Sequence, residues 1–166
     1  PAGASNGTFI PGTSQPGAYT YTVAGAAPCA NAMAVVTVSI VAAPRAGTNG
    51  SVVACASDAP LSLFALLGGT PDAGGTWTAP GGGANNGTFT PGTSPAGTYT
   101  YTVAGTAPCA NATATVSVSV VQPPNPGVGG SITVCSNGLP VNLFGVLTGS
   151  PASGGSWKQP NGQPHS

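Results

Sequence analysis

The chain has 166 residues, of which only four carry a full charge, Arg45, Lys158, Asp58 and Asp72, against 27 glycines and 18 prolines. Soluble domains are normally about a quarter charged; with zero net charge and no basic cluster, this one lacks the Lys and Arg that nucleic acid or an anionic membrane surface would demand. Acid–base catalysis is disfavoured on the same ground, since it needs titratable groups poised in a cleft and the single histidine is His165; the chain is expected not to be an enzyme and to need no cofactor.

In chain order, residues 1–42 contain Asn6-Gly7-Thr8-Phe9, Tyr19-Thr20-Tyr21-Thr22-Val23-Ala24-Gly25 and Pro28-Cys29-Ala30-Asn31-Ala32. They also hold the longest apolar stretch, 34–43, which is about half the length of a membrane span and carries Thr37 and Ser39. No membrane span is expected. The sequence opens at Pro1 without an initiator Met or a signal peptide, which fits a processed product or a piece of a longer chain. Short candidate strands follow at 51–54, 61–66, 75–78 and 87–90, separated by Gly, Pro and Asn clusters. Residues 98–103 alternate Thr98, Thr100 and Thr102 with Tyr99, Tyr101 and Val103, giving one hydroxyl face and one apolar face. Residues 112–121 alternate in the same way, with Ala112, Ala114, Val116, Val118 and Val120 against Thr113, Thr115, Ser117 and Ser119. A turn around Gly105-Thr106-Ala107-Pro108 makes the two a long hairpin. No helix is expected; residues 63–67 allow one turn at most.

The sequence repeats with an offset of 80 and no gap, and 45 of the 86 positions shared by residues 1–86 and 81–166 are identical. Cys55, Leu63-Phe64, Gly74-Gly75 and Trp77 return as Cys135, Leu143-Phe144, Gly154-Gly155 and Trp157. About 80 residues is too long for a solenoid coil and suits a small β-sandwich, so the expected fold is all-β, tandem immunoglobulin-like sandwiches. The Pro-rich stretch Gln122-Pro123-Pro124-Asn125-Pro126-Gly127, matched by residues 42–47, reads as a linker. Residues 45–122 then form one complete unit, 1–42 the C-terminal half of a preceding unit, and 125–166 the N-terminal half of a following one. The alternative frame starts a unit at Pro1. In the first frame, residues 125–166 of one copy and 1–42 of the next together make about one repeat. Head-to-tail complementation, or a continuous array, would give a string of sandwiches. Trp77, Trp157, Phe64, Phe144, Tyr99 and Tyr101 are the expected core aromatics.

Four cysteines in so Gly-rich a chain suggest an oxidising, extracellular setting. This frame puts Cys55 and Cys109 in one unit, where a bridge would close a loop of about 54 residues and contribute roughly 4 kcal/mol. Cys29 and Cys135 would then need neighbouring repeats or subunits. The rival pairing, Cys29 with Cys55 and Cys109 with Cys135, would staple adjacent units. No Cys-x-x-Cys exists and no His lies near a Cys, so metal binding is not expected. Asp58 and Asp72 are too few and too far apart for Ca²⁺, which takes six to eight oxygens, and residues 45–122 contain no Lys for a Lys–Asn isopeptide bond. The Gly-Gly pairs precede no helix and read as turns. Asn-x-Ser/Thr patterns at Asn6, Asn49, Asn86 and Asn111 leave glycosylation open, although Asn-Gly is first a turn dipeptide. The Thr98-x-Thr100-x-Thr102 ladder allows ice binding, and an exposed Trp a carbohydrate platform, beside the ordinary readings of a solvent face and core packing.

The run from Gly97 through Tyr99, Tyr101, Pro108 and Cys109 to Ala114, with Val53-Ala54-Cys55, Leu63-Phe64 and residues 69–77, is similar to repeats of very large secreted surface proteins of Bacteroidota, of the gliding-motility adhesin kind. That resemblance covers essentially the whole chain. It implies immunoglobulin-like or PKD-like sandwiches, type IX secretion and a role in cell-surface filaments, adhesion or gliding. The sorting domain such proteins usually carry is absent from this sequence, and residues 163–166 depart from the repeat. The expectation is therefore a structural module of an extracellular filament or adhesin whose partner is itself, with surface glycans as a further partner; a carbohydrate- or ice-binding module is the alternative.

Overall fold

The computed structural model describes residues 7–165; residues 1–6 and 166, the outer ends of the first and third expected units, with Asn6 among them, lie outside the described residues. The fold is all-β, with helix limited to two 3-10 turns, Phe64–Leu66 and Leu143–Val146, among the described residues. Strands β1 (Gly17–Val23) and β2 (Ala32–Val38) make a separate hairpin. A five-stranded sheet holds β3 (Gly50–Cys55), β5 (Thr76–Thr78), β6 (Ala84–Asn85), β8 (Gly97–Val103) and β9 (Ala112–Val121) in the order β3-β9-β8-β5-β6. Strands β4 (Leu61–Ser62) and β7 (Thr88–Phe89) pair with each other, as do β10 (Trp157–Lys158) and β11 (Pro164–His165).

The β8–β9 hairpin is the spine of the sheet, and its alternation decides which face is inside. Tyr99 stands opposite Val116 and Tyr101 opposite Ala114, all four buried, while Thr98 opposite Ser117, Thr100 opposite Thr115 and Thr102 opposite Thr113 point the other way. A one-residue slip would exchange the two faces, so burial fixes the register. Strand β3 runs parallel to β9, from Gly50 beside Val116 to Cys55 beside Val121. The chain therefore enters at one end of the sheet and leaves at the other, about 30 Å away for a ten-residue strand at about 3.3 Å per residue.

The β4–β7 pair supplies the opposite wall of the core. Phe89 packs edge-on against Tyr99 with ring centroids 5.9 Å apart, and Leu63 and Phe89 are both wholly buried. Trp77 lies 5.0 Å from Tyr101, with the rings tilted by 38°. The Tyr101 hydroxyl donates to Asp72 O at 2.7 Å and accepts from Gly75 N–H at 2.9 Å, pinning the turn before β5. Gly75 is required there, because a Cβ would fall 2.6 Å from the Tyr101 ring.

One expected strand differs from the structure. The strand expected over 61–66 stops at Ser62, because Leu63 N–H donates to Gly87 O and the chain then winds so that Leu66 N–H reaches Leu63 O. In the third segment, the positions equivalent to β3, 130–135, form no strand.

Candidate functional site

The repeat allows each position to be compared in two settings. Among the described residues, all twelve buried hydrophobic residues lie between Ala46 and Val118, whereas of the exposed large ones nine lie in 10–41, eight in 128–157 and only three between. Tyr101 is 2% exposed and its equivalent Tyr21 70%; Tyr99 is 0% exposed and Tyr19 38%; Trp77 is 7% exposed and Trp157 39%. Val36 and Leu143 are exposed where Val116 and Leu63 are wholly buried. Yet the local geometry is retained. Phe9 meets Tyr19 edge-on at 5.9 Å, as Phe89 meets Tyr99. The Tyr19 hydroxyl donates to Gln15 O as Tyr99 does to Pro95 O, and the bridge between Thr48 and Gly68 recurs between Val128 and Thr148.

Two open apolar troughs result. One, about 290 Å³, is lined by Phe9, Tyr19, Tyr21, Val36 and Val38. The other, about 270 Å³, is lined by Pro126, Phe144, Leu147, Pro151 and Trp157. Of the aromatics expected in a core, the structure brings Trp77, Tyr99 and Tyr101 together. Phe64 sits edge-on to Tyr101 at 5.5 Å but, because the 3-10 turn swings it outward, remains 37% exposed; Phe144 and Trp157 are likewise exposed. The offset of 80 already marked Val36 and Leu143 as equivalents of buried residues, but only knowledge of which strands lacked a partner could show them to be exposed.

The two aspartates have structural roles. Asp72 Oδ2 accepts from Arg45 N–H at 2.8 Å and Asp72 N–H donates to Arg45 O at 2.8 Å, clasping the start of the unit to the turn before β5. In the third segment Asn125 and Ala152 keep the backbone half of this clasp, while Asn125 Nδ2 donates to Gly149 O. Asp58 Oδ2 accepts from Cys55 N–H at 2.8 Å and caps the end of β3. Among the described residues no group of three or more His, Cys, Asp or Glu is placed to hold a metal, and no helix is long and apolar enough to cross a membrane.

The structure does not bring Cys55 and Cys109, the expected bridge partners, together. No disulfide joins Cys29, Cys55, Cys109 or Cys135 in this structure. Cys55 ends β3 beside Val121, the last residue of β9, whereas Cys109 lies in the loop before Ala112, the first residue of β9. Some 30 Å of strand separates them, against the Cα separation of about 4.4–6.8 Å that a disulfide needs. Alternating sequence gave no sign that β3 would lie parallel to β9, which is what sends the two thiols to opposite ends. Cys109 Sγ instead lies 3.6 Å from Val41 O. Cys55 Sγ lies 3.1 Å from Ser57 Oγ. The hydrogen bonds of Ser57, side chain first and backbone second, hold the Cys55 thiol below its ordinary range, partly offset by desolvation and the Asp58 charge.

The outer face of the sheet carries hydroxyl rows. Thr78, Thr100 and Thr115 form one across three strands, Thr76, Thr102 and Thr113 a second, and Thr98, Ser117 and Ser51 a third. Trp77 is buried beneath this face and offers no platform to a sugar. Comparison with family models, with curated proteins and with solved structures finds no match for the chain.

Proposed function

We propose that the chain is a structural, non-enzymatic module of an extracellular filament or cell-surface adhesin, built as tandem immunoglobulin-like sandwiches of about 80 residues. Residues 45–122 are the complete unit. Residues 125–166 carry the first half of such a unit and 1–42 the second, so each open core is closed by a neighbouring unit, supplied by another copy head to tail or by a continuous repeat array. The observation that carries this reading is the exposure of Tyr21, Val36, Leu143 and Trp157 at positions where Tyr101, Val116, Leu63 and Trp77 are buried. Each such side chain is worth about 1.5–3 kcal/mol when removed from water. The two halves sit at opposite ends of the central sheet, so each is closed by a different neighbour and the array grows as a string rather than a closed pair. Near absence of charge removes a common protection against edge association, and the function is mechanical: a shaft that forms a fibre or holds a binding tip away from the cell.

Sedimentation of the 166-residue chain over a concentration series tests the reading. Growing oligomers are expected, and Tyr21→Ser or Trp157→Ser should suppress them without loss of the central unit's thermal transition. A strictly monomeric chain at all concentrations would sink head-to-tail complementation and leave the continuous array.

A second reading has one observation of its own. The hydroxyl rows led by Thr100, Thr102 and Thr98 lie on a charge-free sheet face, which suits ordered water and hence ice. Thermal hysteresis in a freezing-point assay, abolished by Thr100→Lys, would favour it; no hysteresis removes it.

A further inference from the structure

Two observations at the ends of the central unit combine through the repeat. At the exit end, Val121 is the register partner of Cys55, and Val121 O accepts Ala56 N–H at 2.9 Å. Where the chain enters, Cys109 Sγ lies 3.6 Å from Val41 O. Val41 is 80 residues before Val121 and occupies the same repeat position. In a completed array, one valine carbonyl therefore touches the position-55/56 backbone of its own unit on one side and the position-109 thiol of the following unit on the other. Neighbouring strands lie about 4.8 Å apart, so the two cysteines fall within the range of a disulfide.

We propose that every junction between successive units carries a disulfide joining the position-55 cysteine of one unit to the position-109 cysteine of the next. This rests on the assembly reading above. In this chain the position-55 cysteines are Cys55 and Cys135, and the position-109 cysteines are Cys29 and Cys109. Head-to-tail assembly then pairs Cys55 of one copy with Cys29 of a second, and Cys135 of the first with Cys109 of the second. Neither pair forms within one copy. Each bridge forms by exchange with a small-molecule disulfide such as oxidised glutathione. One cysteine thiolate displaces a glutathione thiolate, and the second cysteine then displaces the other. Two cysteine thiols are oxidised, one glutathione disulfide is reduced to two thiols, and the two protons pass to those thiols. Such bridges would lock the angle at each linker and make dissociation of the string depend on reduction.

The test mixes ¹⁴N- and ¹⁵N-labelled full-length chain, lets it assemble, and oxidises it with oxidised glutathione. Expected is a ladder at multiples of 15.7 kDa on a non-reducing gel, collapsing on reduction. Peptide mapping should find Cys55–Cys29 and Cys135–Cys109 links of mixed isotope. Cys55→Ser should remove only the first link, and Cys55→Ser with Cys135→Ser the whole ladder, while oligomers remain by sedimentation. Mapping the unsubstituted chain does not depend on either variant folding. Oligomers that keep all four thiols free after oxidation, or that contain a Cys55–Cys109 link, overturn the bridge and leave the assembly standing. A chain that forms no oligomers, oxidised or reduced, overturns both.

Discussion

Tyr101 and Tyr99 show how single polar atoms are handled in a core with so few of them. The Tyr101 hydroxyl both donates to Asp72 O and accepts from Gly75 N–H, so Tyr101→Phe leaves two backbone groups short of a partner. The expected cost is about 1–3 kcal/mol, measured as a lower urea midpoint with an unchanged slope. Tyr99 is fully buried, and burial pushes its phenol above the ordinary value, with Ser94 opposing. A group whose folded pKa is raised contributes stability that is complete below the unfolded value, near pH 10, and is lost as pH rises through the folded one. Stability should therefore fall on the alkaline side in step with phenolate formation, and Tyr99→Phe should flatten that fall. Cys55 behaves oppositely. Its lowered pKa gives it more thiolate at neutral pH than an ordinary cysteine has, so iodoacetamide should modify it faster than Cys135, where Ser57 is replaced by Asn137. Equal rates would remove the role assigned to Ser57. The sequence showed these tyrosines as inward-facing residues, but their hydroxyl partners at Pro95 and Asp72 lie on turns whose path alternation does not encode.

At the scale of elements, the β8–β9 hairpin was legible because ten-residue alternation of Thr or Ser with Val or Ala leaves one way to bury an apolar face. The two-residue strands were less so. Leu61–Ser62 pairs with Thr88–Phe89 through a ladder too short to leave a periodic signal, and β6 at Ala84–Asn85 gave none at all. Parallel pairing of β3 with β9 is a long-range choice, and missing it misplaced the cysteines. The repeat offers an internal control on packing. Phe89→Ala should cost the central unit about 3–5 kcal/mol, read from its thermal or urea transition. Phe9→Ala removes the same ring from a position whose surroundings are open in the single copy, and should barely move that transition while weakening oligomers. Equal destabilisation by both would mean that the first segment is already packed in the monomer.

Over the whole molecule, the low charge acquires a second meaning. It disfavours charged partners; set beside two flanking segments with bare apolar troughs, it describes a surface that does little to keep copies apart. The proposed phase of the repeat rests on the Pro-rich stretches at 42–47 and 122–127, with the burial contrast between equivalent residues in its support. The most direct test of head-to-tail complementation is electron microscopy of the purified full-length chain after concentration. Expected are unbranched strings with an axial rise of about 40 Å per unit, from a ten-residue strand at about 3.3 Å per residue plus its linker, and their loss in Tyr21→Ser. Isolated particles of one copy at every concentration, with no strings in either the native chain or the variant, would contradict it.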